Sequence, residues 1–247
     1  MIKLNKIVKS FGRLRALDGV DLDLRKGAVT GLIGPNGSGK TTLVNIMTGI
    51  YAADSGEVLI KGKDHSRASA ESIAGLGVAR TFQNIRIFKR MTVLENVVAA
   101  LLAGEKWGAA KLLNSAMSVK DPKLGKACEA LETLGLQDKQ KLLAEDLPLP
   151  LRRRLEIARA LARDPEMILL DEPAGGMTPS ETSELSDLIS QRVAPGRTCV
   201  VIEHKMDLIT EICSHLVVLH HGEKIAEGEP GPVLGLSRVL EAYLGKT

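Results

Sequence analysis

Aromatic side chains are scarce in this sequence: three Phe, two Tyr and one Trp make up 2% of 247 residues. Any ring standing in a polar stretch therefore invites a role. Cysteine is nearly as rare. Cys128, Cys199 and Cys213 form no CxxC pair and no metal-ligand spacing, which excludes a zinc module and fits ordinary burial in a reducing compartment such as the cytosol. There is little excess charge, with 33 basic against 30 acidic residues and a net of +3, so nucleic acid is not the expected partner. No uninterrupted apolar run approaches the roughly 18 residues of a spanning helix, and no apolar leader is evident. If the protein works at a membrane, other chains are expected to hold it there. The length allows either one large domain or two closely packed subdomains.

What is present is organised around Gly34-Pro35-Asn36-Gly37-Ser38-Gly39-Lys40-Thr41-Thr42. An apolar run, Val29 to Ile33, precedes it, and a helical pattern from Leu43 follows. This reads as strand, phosphate loop and helix. Glycines at 34, 37 and 39 permit positive φ and bring backbone N–H groups up to a polyphosphate, toward which the next helix points its positive end. Lys40 is placed to reach the β and γ phosphates, and Thr41 to put a hydroxyl on Mg²⁺, completing the GxxxxGK[ST] pattern.

Along the chain, short β-type runs at Ile2 to Val8, Val20 to Leu24 and Ala28 to Ile33 predict two or three strands before the loop. Phe11 falls in a polar loop between the first two and is open to two readings: stacking on an adenine face, or closing the edge of a small sheet. Asp54 to Gly62 reads as a turn, a strand and a turn beside the nucleotide. Gly77 to Asn84 is a short apolar segment ending in Gln83, either a surface residue or a contact to metal, water or phosphate. From about Phe88 to Arg163 the spacing turns helical, with Val93-Leu94, Val97-Val98 and Leu101-Leu102 and later Leu131, Leu134 and Leu136. Within it, Gly104 to Lys126 reads as mobile surface helix and loop without chemistry. Arg152 to Ala162 predicts an amphipathic helix with positions 155, 158, 161 and 162 on one face.

Met167 to Leu170 is a fully apolar run of the kind buried in a parallel sheet, and it delivers Asp171 and Glu172 to the strand's carboxyl end, where open α/β sheets bind ligands. Cys199 to Ile202 repeats the design and places His204 at a strand tip. Two last strands turn at His221-Gly222-Glu223, and a short helix ends the chain. The loop and the acidic strand end are two halves of a Mg-ATP site: Asp171 on Mg²⁺ through water, Glu172 as general base on the attacking water, His204 near the γ-phosphate.

These residues resemble the ATP-binding subunits of ABC transporters, over essentially the whole chain. Gly34 to Thr42 looks like the Walker A motif, Met167 to Glu172 like Walker B, Gln83 like the Q-loop glutamine, His204 like the switch histidine and Phe11 like the adenine-stacking aromatic. Ala79 to Phe88, Met91 to Val97, Arg153 to Arg159 and Val201 to Met206 are similar to the branched-chain amino acid importer branch, as are Ile225 to Gly228 and Glu241 to Gly245. The resemblance implies an α/β fold with a P-loop NTPase (RecA-like) core and a small antiparallel β subdomain over 1–87 and 164–247, and an inserted α-helical subdomain over 88–163. It implies ATP and Mg²⁺ as cofactors, membrane-spanning permease subunits as partners on the cytoplasmic face of the inner membrane, and indirectly a substrate-binding protein. The helix of a permease subunit would dock beside Gln83 to Phe88, where Phe82, Ile85, Ile87 and Phe88 are otherwise open to a core-packing reading.

Two segments depart from the family pattern. Where members carry an LSGGQ-type signature that caps the opposite subunit's γ-phosphate, this chain has Leu147-Pro148-Leu149-Pro150-Leu151. Pro148 has no hydroxyl and Pro150 no N–H. Gly176-Met177-Thr178 stands where many members have Leu-Asp. Intact Walker motifs beside a damaged signature suggest a heterodimer with a second ATP-binding subunit. The alternatives are a regulatory subunit that hydrolyses little ATP itself, an active homologue in which Arg152 supplies positive potential, and a non-transport ATPase acting on DNA or ribosomes. The last kind usually adds a coiled coil, zinc cysteines or a second ATP-binding half.

Overall fold

The computed structural model describes residues 2–103 and 121–244. In chain order the strands are β1 (Ile2–Phe11), β2 (Leu14–Asp23), β3 (Val29–Ile33), β4 (Ser55–Ile60), β5 (Lys63–Asp64), β6 (Val78–Arg80), β7 (Met167–Asp171), β8 (Thr198–Ile202), β9 (His215–His220) and β10 (Glu223–Gly228). The helices are α1 (Lys40–Met47), α2 (Ala70–Gly75), α3 (Val93–Leu102), α4 (Pro122–Thr133), α5 (Leu149–Leu161), α6 (Pro179–Leu188), α7 (Met206–Ile212), α8 (Pro230–Leu234) and α9 (Ser237–Leu244). The architecture is the expected α/β one. An antiparallel sheet of order β2-β1-β4-β5 lies beside a six-stranded sheet of order β10-β9-β3-β8-β7-β6, parallel except for β10.

The central strands β7 and β8 are buried at every position, because helices cover one face of the parallel sheet and α1 with the antiparallel sheet covers the other. Side chains alternate between two cores. Met167 and Leu169 join Leu32, Leu43 and the β1, β2 and β4 residues; Ile168 and Leu170 join Ile33, Leu155, Leu185 and the other helices. Cys199 and Cys213 sit inside the helix-side core, where burial pushes both thiols up to about 12, so they pack as inert small hydrophobes.

Several boundaries differ from the sequence expectation. β1 and β2 form one long hairpin turning at Gly12 and Arg13, so Phe11 ends a strand instead of sitting in a loop. Bulges along β1 carry polar residues such as Lys9 and Ser10 inside the strand and hide the alternation. Asp121 and Pro122 open α4: the Asp121 side chain accepts from the Lys123 N–H, and Pro122 occupies the first helical position, which needs no N–H. Of the segment 104–126, read as mobile surface helix and loop, 122–126 is the start of this helix, while 104–120 lies outside the described residues. Helix α5 begins at Leu149, three residues before the expected Arg152, since Pro150 falls in the first turn, where its missing N–H has no intrahelical acceptor to lose. The predicted face of α5 is buried at Leu155, Ala158, Leu161 and Ala162.

Candidate functional site

The loop after β3 is shaped by close approach as much as by φ. At Gly34 (φ +151°) a Cβ would lie 2.1 Å from the Leu219 carbonyl oxygen, and at Gly39 (φ +104°) 2.7 Å from that of Ala16. Gly37 (φ +77°) faces open space and needs glycine for its backbone alone. Gly39 occupies the N-cap position of α1, so Lys40 is the first helical residue. Its ammonium is folded into the loop, donating to the Gly34 carbonyl (2.7 Å), the Pro35 carbonyl (3.0 Å) and Ser38 Oγ (3.4 Å). Burial lowers the Lys40 pKa, and the charges of Glu172 and Asp171 push it back up.

β7 and β8 end level, with Asp171 paired to Ile202 in the parallel register. Their tips therefore arrive side by side beyond the loop. Asp171 is 6% exposed, its N–H donates to Thr81 Oγ1 at 3.2 Å, and its Oδ2 accepts from Arg80 Nη2 at 2.8 Å. Glu172 has φ +48°, a left-handed conformation that costs a non-glycine residue about 1 kcal/mol or more. Its N–H donates to the Ile202 carbonyl at 2.9 Å, and its carbonyl accepts from the Gly175 N–H at 3.1 Å, so the neighbouring strand and turn hold it there. That conformation brings Glu172 Oε1 to 3.3 Å from His204 Nε2.

A cleft of about 430 Å³ gathers the sequence candidates: Phe11, Asn36 to Thr42, Gln83, Asp171, Glu172 and His204 line it together. Gly34 and Pro35 lie just behind, supplying carbonyls to Lys40. Phe11 is 43% exposed at the mouth, with Tyr51 edge-on at 5.4 Å between centroids. Gln83 presents an exposed side chain, and its backbone carbonyl accepts from Arg153 Nη1 on α5 at 2.8 Å. Leu147 to Leu151 is not part of this lining. Arg152 folds back across that segment, donating to the Leu147 and Glu145 carbonyls at 2.6 Å each, so its charge is spent inside its own loop.

Three features of the site escaped the sequence reading. Glu203, 2% exposed, accepts from the N–H groups of Ala174 (2.8 Å), His204 (2.9 Å) and Lys205 (3.3 Å), tying both strand tips to one carboxylate. Arg80 reaches Asp171 from β6. Burial raises the pKa of the Tyr243 hydroxyl on α9, and the Gly34 backbone of the loop opposes that shift. The signal available for Glu203 was a charge at the end of a run otherwise apolar from Cys199.

A second cavity, about 550 Å³, opens between α2, the 79–86 segment and α5. Phe82 lines it with the Arg80 and Arg86 guanidinium groups 5.1 and 4.2 Å from its ring centre, and Arg159 also lines it. Phe88 is 49% exposed, and neither it nor Phe82, Ile85 or Ile87 is buried as a core residue would be. Buried Glu156 of α5 accepts from the Phe82 and Arg86 N–H groups and anchors this segment, and burial raises its pKa.

A family model described as ABC transporter matches residues 17–175. The high-affinity branched-chain amino acid transport ATP-binding protein LivG of Escherichia coli (strain K12) is 37% identical over 250 residues, which cover 100% of this chain and 98% of that protein. The probable branched-chain amino acid transport ATP-binding protein LivG of Methanocaldococcus jannaschii is 38% identical over 255 residues, with the same coverage. Among solved structures, a nucleotide-free ATP-binding cassette from an ABC transporter and the ADP conformation of such a cassette each superpose with a TM-score of 0.88 at 35% identity, covering 100% of this chain and 99% of the other.

Proposed function

Since the chain belongs to the ABC transporter family, as one of its ATP-binding, ATP-hydrolysing subunits, we propose that it powers an importer of branched-chain or related amino acids. The observation that carries the reading is the convergence of Lys40, Gln83, Asp171, Glu172 and His204 on one cleft. Loop amides and Lys40 bind the phosphates; Phe11 stacks on the adenine. Thr41, Asp171 and Gln83 offer oxygen donors only, a set suited to a hard cation, and they hold Mg²⁺. When bound, Mg²⁺ supplies charge neutralisation on the phosphate oxygens. Glu172 accepts the proton of the attacking water, and His204, in reach of its carboxylate, orients that carboxylate and faces the γ-phosphate. Replacing Phe11 by Ala is expected to weaken ATP binding about three- to tenfold, from a stacking contribution of roughly 0.5–1.5 kcal/mol, while inorganic triphosphate binds as before. Equal losses for both ligands would remove Phe11 from the base site.

No helix among the described residues is long and apolar enough to cross a membrane. The subunit is peripheral, held on the cytoplasmic face of the inner membrane by permease subunits that insert a short helix into the cavity beside Phe82 and helices α3 and α5. A substrate-binding protein acts indirectly, through the permeases. ATP-driven uptake of a branched-chain amino acid by proteoliposomes carrying the assembled complex tests the whole reading; uptake unaffected by omitting this chain overturns it.

The second ATP-binding subunit is a different chain. Pro148, at the N-cap position of α5, makes no side-chain cap, and Pro150 removes a first-turn donor. This chain therefore contributes little to the site across the dimer, while its own site is completed by the partner's signature. Changing Pro148 to Ser, Leu149 to Gly and Pro150 to Gly is expected to raise turnover of the complex up to about twofold, since donors aimed at developing charge, each worth on the order of 10²-fold at their own site, would add a second working site to the one already present. Two new glycines in the first turn of α5 cost up to about 1 kcal/mol each, so a small fall in Tm accompanies the gain. Unchanged or slower turnover at intact fold counts against the heterodimer and in favour of a subunit that mainly holds nucleotide.

A further inference from the structure

Among the described residues, Arg80 donates to the Asp171 carboxylate from outside the cleft. Both side chains of the Arg80–Asp171 pair are 7% exposed. The guanidinium spans two elements: Nη1 donates to Asn45 Oδ1 on α1 at 2.6 Å, and Nη2 to Asp171 Oδ2 on β7 at 2.8 Å. A planar fork makes both contacts at once, which a lysine ammonium on a flexible stem does not reproduce. The Phe82 ring walls its other side at 5.1 Å between guanidinium carbon and ring centre. Nη1 also reaches Thr48 Oγ1, just past the end of α1, at 3.4 Å, so the helix side of the fork is held at two points.

We propose that Arg80 is a positioning residue for the divalent cation: anchored on Asn45, it fixes the Asp171 carboxylate against α1, directly behind the phosphate loop, so that the carboxylate meets the cation in one orientation. This rests on the reading of Asp171 as a cation-holding residue. Two opposing effects follow from the geometry. A cation 2.8 Å from the carboxylate withdraws part of its charge and weakens metal binding, whereas a hydrogen-bonded carboxylate is already oriented and loses nothing on binding. Removing groups that orient metal-bound side chains typically weakens binding 10–100-fold, which makes orientation the larger effect.

The test is Mn²⁺ binding to the full chain loaded with ADP, followed by electron paramagnetic resonance, alongside ADP affinity measured in EDTA. For Arg80→Gln, Mn²⁺ affinity is expected to fall at least tenfold with ADP affinity in EDTA unchanged. For Arg80→Lys it falls less, because one hydrogen bond and the charge survive. Asn45→Ala, which leaves the Arg80–Asp171 contact in place but removes the shorter of its two anchors and leaves Thr48, shifts Mn²⁺ affinity in the same direction by a smaller factor; this variant keeps the test alive if Arg80→Gln does not fold. Mn²⁺ affinity that is unchanged or tighter in the folded variants overturns the proposal. So does a parallel loss of ADP affinity in EDTA, which marks a purely structural role. Wild-type protein that binds ADP yet takes up no Mn²⁺ overturns the assignment of Asp171 itself and the inference with it.

Discussion

Replacing Glu172 by glutamine is expected to lower the ATPase turnover of the assembled complex by roughly 10²–10⁴-fold, the range lost when a positioned general base is removed. Glutamine keeps the length of the side chain and one oxygen, so the contact toward His204 persists as a neutral hydrogen bond, but the amide does not accept the proton of the attacking water. The backbone at 172 already sits in the left-handed region, held by the Ile202 carbonyl and the Gly175 N–H, and glutamine meets the same backbone cost as glutamate. Fold and ATP affinity are therefore expected to survive while hydrolysis is lost. Steady-state phosphate release, with nucleotide binding measured in parallel, checks this. Turnover within a few-fold of wild type would mean that the competent site is the other one, formed across this chain's Pro-Leu-Pro segment.

Changing Lys40 to methionine is expected to act one step earlier, on binding. The ammonium lies against the Gly34 and Pro35 carbonyls, its charge sustained by Glu172 and Asp171 although burial opposes it. Methionine preserves the packing of the stem and removes every donor. A hydrogen bond to a charged group contributes about 1.5–3 kcal/mol, so loss of the phosphate contacts predicts an ATP affinity lower by about 10²-fold. Isothermal titration calorimetry with ATP reads this directly. An affinity within threefold of wild type would place the triphosphate elsewhere.

The parts of this site that were legible in the sequence are those set by neighbours in the chain. A glycine loop between a strand and a helix, and two apolar runs ending in Asp171-Glu172 and in His204, announce themselves because strand burial and turn chemistry are local. What was not legible depends on register between distant segments. Arg80 meets Asp171 only because β6 pairs with β7 so that Arg80 stands opposite Leu169. Arg153 finds the Gln83 carbonyl across 70 residues of chain. Local rules also misled in two places: bulges in β1 disguised its alternation and put Phe11 in a loop, and the helix expected from Arg152 begins at Leu149, with Pro150 in a first turn that accepts proline.

The buried carboxylate of Glu203 bears on how such a machine is regulated. Because main-chain amides following both strand tips end on it, the turn after Glu172 and the residue His204 are tied into one block. A rigid block cannot be tuned by bending. On the proposed reading, control then comes from outside, by bringing the partner's half of the pocket into register or withdrawing it, which makes assembly itself the throttle of fuel consumption.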